Sequence, residues 1–177
     1  ALPICKPPAE RPQLPAQQSD VLARSRPSAA LLFEVAGQCY GLDASQVVEV
    51  VPAVRLRTIP GVPAYVAGLC RYRGSLVPVL DLSQMLGGPP SAPRFSTRLV
   101  LVRYQGAADQ PQVLGLLAER AAQGVTEALG HFTSSGIATP ETPYLGKIGT
   151  DGGKTVQLVS VDQLIPDGLR GRLFAES

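Results

Sequence analysis

The sequence predicts a mainly β protein built as two small β-barrels, and three observations carry that reading. Short apolar runs rich in Val and Leu recur at close spacing, and clusters of Gly and Pro, 18 and 17 of 177 residues, separate them. Few stretches show sustained helical periodicity. Finally, residues 65–86, YVAGLCRYRGSLVPVLDLSQML, fall without a gap on 144–165, YLGKIGTDGGKTVQLVSVDQLI. Tyr65 meets Tyr144, Gly74 meets Gly153, Val77 meets Val156 and Gln84 meets Gln163. The shared pattern, turn and tail point to two related halves in one globular body. Duplication makes a pair of barrels the natural form.

In chain order, residues 1–28 are rich in Pro, Gln, Ala and Arg without apolar periodicity. They read as a flexible tail, with a proline-rich recognition segment as the lesser alternative. Residues 31–36 form a strand, Gly37-Gln38 a tight turn and 39–42 the return strand. The β-branched run Val47, Val48, Val50, Val51 argues for a strand over 46–51, with a helical first turn as the alternative. Residues 54–58 fit a further strand, 59–63 a rigid turn and 63–67 one helical turn. Residues 68–72 and 76–80 make a hairpin across Arg73-Gly74-Ser75. Pro78 cannot donate to a ladder, so its strand should lie at an edge or turn that site away from a partner. Residues 81–86 read as a short helix or turn with Asp81 near its cap, and the Gly/Pro-rich 87–94 is the clearest internal boundary of a body spanning 29–174. The second half repeats the scheme: strands at 98–104 and 113–118, a weak strand at 125–129, the hairpin around Asp151-Gly152-Gly153, a short helical tail at 162–165 and a final apolar run at 169–174.

Composition excludes several functions. A net charge of +2 with no Trp gives neither a basic field nor a stacking platform for nucleic acid. Cys5, Cys39 and Cys70 form no CxxC pair and read as reduced, inert thiols; no metal spacing and no cofactor motif is found. No signal peptide and no membrane-spanning window is read, so the expected location is cytoplasmic. The lone histidine, His131, lies in a Gly-rich loop without an identifiable partner, and no G-x-S-x-G elbow or carboxylate pair appears. Gly149 to Thr155 ends in Gly-Lys-Thr like a phosphate-binding loop, but Ile148 stands where its first glycine belongs and a strand follows where a helix is needed. It reads as a hairpin turn. No catalytic residue is assigned; a small β-barrel binding ligands or oligonucleotides is the alternative to a protein-docking role.

Arg73 on its Gly-supported turn is either a solvated hairpin residue or a guanidinium suited to grip a carboxylate, with Glu49 a candidate mate. Tyr40-Gly41-Leu42-Asp43 with Val47 and Glu49, Ile59-Pro60 with Pro63, Gly68-Leu69, Arg73-Gly74 and the run from Val77 to Leu82 together resemble the CheW family of bacterial chemosensory adaptors. The resemblance covers about residues 30–165 and is looser in the second half, where Ala118-Glu119-Arg120 and Ser160 depart from the usual pattern. Cys70 and Tyr72 depart from it before the turn. It implies two SH3-like five-stranded β-barrel subdomains with short helices. It also implies a non-catalytic adaptor that binds the regulatory domain of a CheA-type histidine kinase and the cytoplasmic tip of a chemoreceptor, without nucleic acid or membrane insertion. Val47, Glu49 and Arg73 occupy the positions of the family's receptor-facing apolar contact and charged pair.

Overall fold

A computed structural model describes residues 29–105, 110–121, 125–126 and 139–174. Strands β1 (Ala30–Val35), β2 (Gln38–Asp43), β3 (Val47–Pro52), β4 (Val66–Tyr72) and β5 (Ser75–Asp81) come first. A helical turn α1 (Leu82–Met85) ends this half. The second half holds β6 (Thr97–Tyr104), β7 (Gln112–Glu119), β8 (Val125–Thr126), β9 (Leu145–Asp151) and β10 (Lys154–Val159). A 3-10 turn at Val161–Gln163 and the helix α2 (Asp167–Leu173) follow.

These strands form two five-stranded sheets of order β8-β1-β2-β10-β9 and β3-β6-β7-β5-β4. Advancing each strand by five positions in chain order converts one sheet into the other, so the duplication read in the hairpins extends to the topology. In each sheet an antiparallel hairpin, β1–β2 or β6–β7, comes from one half and joins in parallel the β10–β9 or β5–β4 hairpin of the other. The Gly/Pro-rich 87–94 therefore separates the repeats along the chain without separating the sheets in space. It lies between β5 and β6, which belong to the same sheet.

Apolar patterning accounts for the packing. On β6, Leu99 and Leu101 enter one core with Cys70, Val77 and Val79, while Val100, Val102 and Tyr104 enter a second with Phe33, Leu42 and Leu164. Burial on both faces explains the unbroken run Leu99 to Val102, each residue contributing about 1.5–3 kcal/mol. The second core joins the two sheets into one body.

The edge position allowed for Pro78 is not the one adopted, since β5 lies between β4 and β7. Leu69, its partner on β4, directs its own N–H and C=O to Arg57 at 2.8 and 2.9 Å, so Leu69 and Pro78 do not exchange hydrogen bonds. The proline nitrogen instead faces β7, whose pairing with β5 begins at Val79. Residues 54–58 contribute only that Arg57–Leu69 bridge. It brings the chain so close that a side chain on Gly68, at φ +144°, would collide with the Arg57 carbonyl oxygen. The expected helical turn at 63–67 is a tight turn closed by Val66 N–H donating to Pro63 at 2.9 Å.

Asp81 caps α1 as expected, accepting from the Ser83 and Gln84 amides at 3.0 and 3.4 Å and from Ser91 N–H and Oγ at 2.8 and 2.7 Å. This satisfies a carboxylate that is only 3% exposed. The final apolar run is helical, and Leu169 and Leu173 are its buried positions.

Candidate functional site

The β4–β5 hairpin turns on two residues, Arg73 at φ 48° and Gly74 at φ 88°. Positive φ at both positions is what a two-residue turn requires to follow the twist of its strands. Gly adopts it freely, whereas Arg pays about 1–2 kcal/mol. From this strained backbone the side chain reaches Glu49: Arg73 Nη2 lies 3.6 Å from Glu49 Oε2. Tyr72 donates its hydroxyl to the same oxygen at 2.6 Å, and the Arg73 guanidinium lies 5.1 Å from the Tyr72 ring centre. One carboxylate is thus held by a phenol and a guanidinium that also contact each other.

Glu49 comes from a distant part of the chain. Val47 pairs with Val102 of β6 and Glu49 with Leu101, so Val48 is an extra, bulged residue between them, and such an insertion turns the following side chains. The side chains of Arg73 and Glu49 are 76% and 42% exposed, so their ion pair is worth under about 1 kcal/mol to the fold. Its effect is to fix a charged surface. The Glu49 hydrogen bond is the leading cause of a raised Tyr72 phenol pKa, because it favours the protonated phenol.

Beside this cluster runs an open groove of about 590 Å³, lined by Val48, Tyr72, Arg73, Leu76, Arg103 and Phe174 among others. Leu76 is 55% exposed. Phe174 stacks on Tyr104 at 5.5 Å, and Arg170 Nε donates to the Tyr104 hydroxyl at 2.6 Å. The end of α2 is thereby pinned against β6 and becomes one wall of the groove.

Of the residues expected at the site, Glu49 and Arg73 come together. Val47 is half-buried against the core shared by the two sheets, and the adjacent Val48 lines the groove. Two contributors escaped the sequence. Tyr72 was visible only as a departure from the family pattern, and Phe174 only as an aromatic residue closing an apolar run.

Other chemistry is quiet. Among the described residues no group of three or more His, Cys, Asp or Glu could hold a metal ion. Burial raises the pKa of the Cys39 and Cys70 thiols, which favours the unreactive protonated form. His131 and Cys5 lie outside the described residues. The Gly-Lys-Thr segment is the β9–β10 hairpin, turning on Gly152-Gly153. No helix among the described residues is long and apolar enough to cross a membrane.

A two-sheet β body with a charged hairpin tip and an apolar groove defines a docking module. A model of the CheW-like domain matches residues 29–168, and the chain belongs to the CheW family, whose members are non-catalytic scaffold proteins. It is 29% identical over 75 residues to the chemotaxis protein CheW of Bacillus subtilis, covering 42% of this chain and 48% of that protein. It is 33% identical over 91 residues to protein PilI of Pseudomonas aeruginosa, covering 51% and 49%. The matched stretches thus span about half the length of each curated relative. The crystal structure of scaffolding protein TtCheW from Thermoanaerobacter tengcongensis shares the fold, with TM-score 0.65 and 24% identity over 78% of this chain and 92% of that one. The two SH3-like sheets agree with this fold.

Proposed function

We propose that this chain is a coupling adaptor linking the cytoplasmic tip of a chemoreceptor to the regulatory domain of a CheA-type histidine kinase. Membership of a scaffold family supports a coupling role, and the observation that carries the finer reading is the cluster of Glu49, Tyr72 and Arg73. It places a fixed guanidinium and carboxylate on an exposed hairpin tip next to an apolar groove, a surface suited to the apolar face and polar flank of a partner helix. On the strand that carries Glu49, Val48 lines this groove and the half-buried Val47 beside it adds apolar surface. The adaptor acts in the cytoplasm, recruited to receptor arrays at the membrane, and transmits signal by holding partners in a defined geometry.

Co-purification with a CheA-type regulatory domain and with a receptor tip from the same source tests this. Retention of both is the expected result. Retention of the receptor alone would leave a scaffold that occupies receptors without coupling them, and retention of neither would end the proposal.

A further inference from the structure

A second groove, of about 380 Å³, lies where the tails of the two repeats meet, and it shares no residue with the groove beside Arg73. Repeat-related pairs line it: Tyr65 with Tyr144, and Gln84 with Gln163. Met85 and Leu164 add apolar surface, and Pro140, Pro143 and Pro166 rim it. Tyr144 is fixed by donating its hydroxyl to the Met85 carbonyl at 2.7 Å. Tyr65 and Gln163 make no side-chain hydrogen bond among the described residues, and Gln84 Nε2 has only a long 3.5 Å contact to Asp81. Glu141, exposed at the rim, forms no ion pair among the described residues.

This lining selects its ligand. Aromatic and proline surfaces accept the flat ridges of a polyproline II strand. Such a strand has few N–H donors and many unsatisfied carbonyls, so it needs hydroxyl and amide donors of the kind that Tyr65, Gln84 and Gln163 bring to the groove. A carboxylate at one end suits a ligand carrying a cation beside its prolines.

We propose that this groove binds a P-x-x-P segment and that the segment is Arg11-Pro12-Gln13-Leu14-Pro15 of the same chain. It has the required spacing, and Arg11 beside its first proline supplies the cation for Glu141. The stretch from Pro15 to Ala30 reaches about 50 Å when extended, against a radius of gyration of about 15 Å for a body of this size, so every face lies within range. The tail then carries a specific docking function separate from the Arg73 surface.

Amide chemical shifts of Gln84, Glu141, Tyr144 and Gln163 in the full chain test this. The double substitution Pro12→Ala with Pro15→Ala should shift these signals, and a peptide of residues 6–17 added to that variant should shift them back. The same peptide should bind wild-type protein about tenfold or more weakly, because a tethered competitor acts at an effective concentration in the millimolar range. Glu141→Gln, made in the double variant, should weaken peptide binding about threefold and flatten its salt dependence. Tyr65→Phe in the same background should weaken it while the melting temperature holds. Unchanged signals in the double variant and no peptide titration would overturn the proposal. Shifts that grow with protein concentration would also overturn it, by making a second copy the occupant.

Discussion

The two repeat-related hairpins share a backbone and differ in what their tips carry. The β9–β10 tip is Gly152-Gly153, at φ 52° and 83°, two residues that take the left-handed conformation freely. At the matching place the β4–β5 tip has Arg73-Gly74, with Tyr72 just before it and Glu49 within reach. One copy keeps the relaxed turn, and the other accepts strain to present a charge. The halves differ again lower down, where Gly68 answers to Lys147 in the repeat. Gly68 backs onto Arg57, which ties the β3–β4 connection to the sheet. Structural demands and surface demands therefore fall on different residues of one hairpin.

The largest effect tests the structural demand. Gly68→Ala meets both the Arg57 carbonyl and an unfavourable φ, so it should cost about 3 kcal/mol or more and lower the melting temperature by roughly 6–12 °C. A calorimetric melt unchanged within error would mean that the Arg57–Leu69 bridge does not hold the sheet.

The second prediction concerns the surface. Arg73→Glu places two carboxylates together at the tip and should weaken binding to a receptor tip about tenfold or more, while altering stability by under about 1 kcal/mol. Titration calorimetry paired with a thermal melt separates the two quantities. Receptor affinity equal to wild type would remove Arg73 from the docking face.

Much of this contrast was legible in the sequence, because local signals and duplication agreed. The hairpin turns, the Asp81 cap and the doubled hairpins all rest on short-range chemistry, although each turn is one residue tighter than the three read from the sequence. The exchange of hairpins between sheets was not legible, since parallel pairing of β5 with β7 and of β2 with β10 is decided by long-range packing. At the site, the residues themselves offered Arg73 with Glu49 as a candidate mate, and the resemblance favoured that pairing over a solvated arginine. The bulge between Val47 and Glu49 leaves no mark in the stretch Val47-Val48-Glu49-Val50-Val51, and the Tyr72 hydroxyl found its acceptor only through the fold.

The pH dependence sharpens the role of Tyr72. Its phenol pKa is raised by the bond to Glu49, and those of Tyr40, Tyr65 and Tyr144 are raised by burial. A raised pKa means that the folded state holds the proton more tightly than the unfolded chain. The associated stability is complete below the ordinary phenol value of about 10 and is lost as pH climbs through the folded value. Ultraviolet titration should show these four tyrosines ionising late, and Tyr72→Phe should remove one late phenol while lowering receptor affinity a few-fold. A Tyr72 that titrates at the ordinary value would show that the bond to Glu49 does not persist in solution.

The smallest effect comes from exchanging the turns. Gly152 has open space around it, so Gly152→Arg meets no steric obstacle and should cost only the left-handed conformation, about 1 kcal/mol or some 2–4 °C in melting temperature. Arg73→Gly releases the same strain but frees the unfolded chain, and these opposing terms should leave the melt within about 2 °C of wild type. Its receptor binding should nevertheless fall as far as that of a charge deletion. If both exchanges proved neutral in stability, the left-handed Arg73 would carry no cost and its strain could not be linked to docking. If Gly152→Arg alone is destabilising, the duplicated fold has one tip where an arginine is held against its backbone preference, and the Glu49 and Tyr72 contacts are what hold it there.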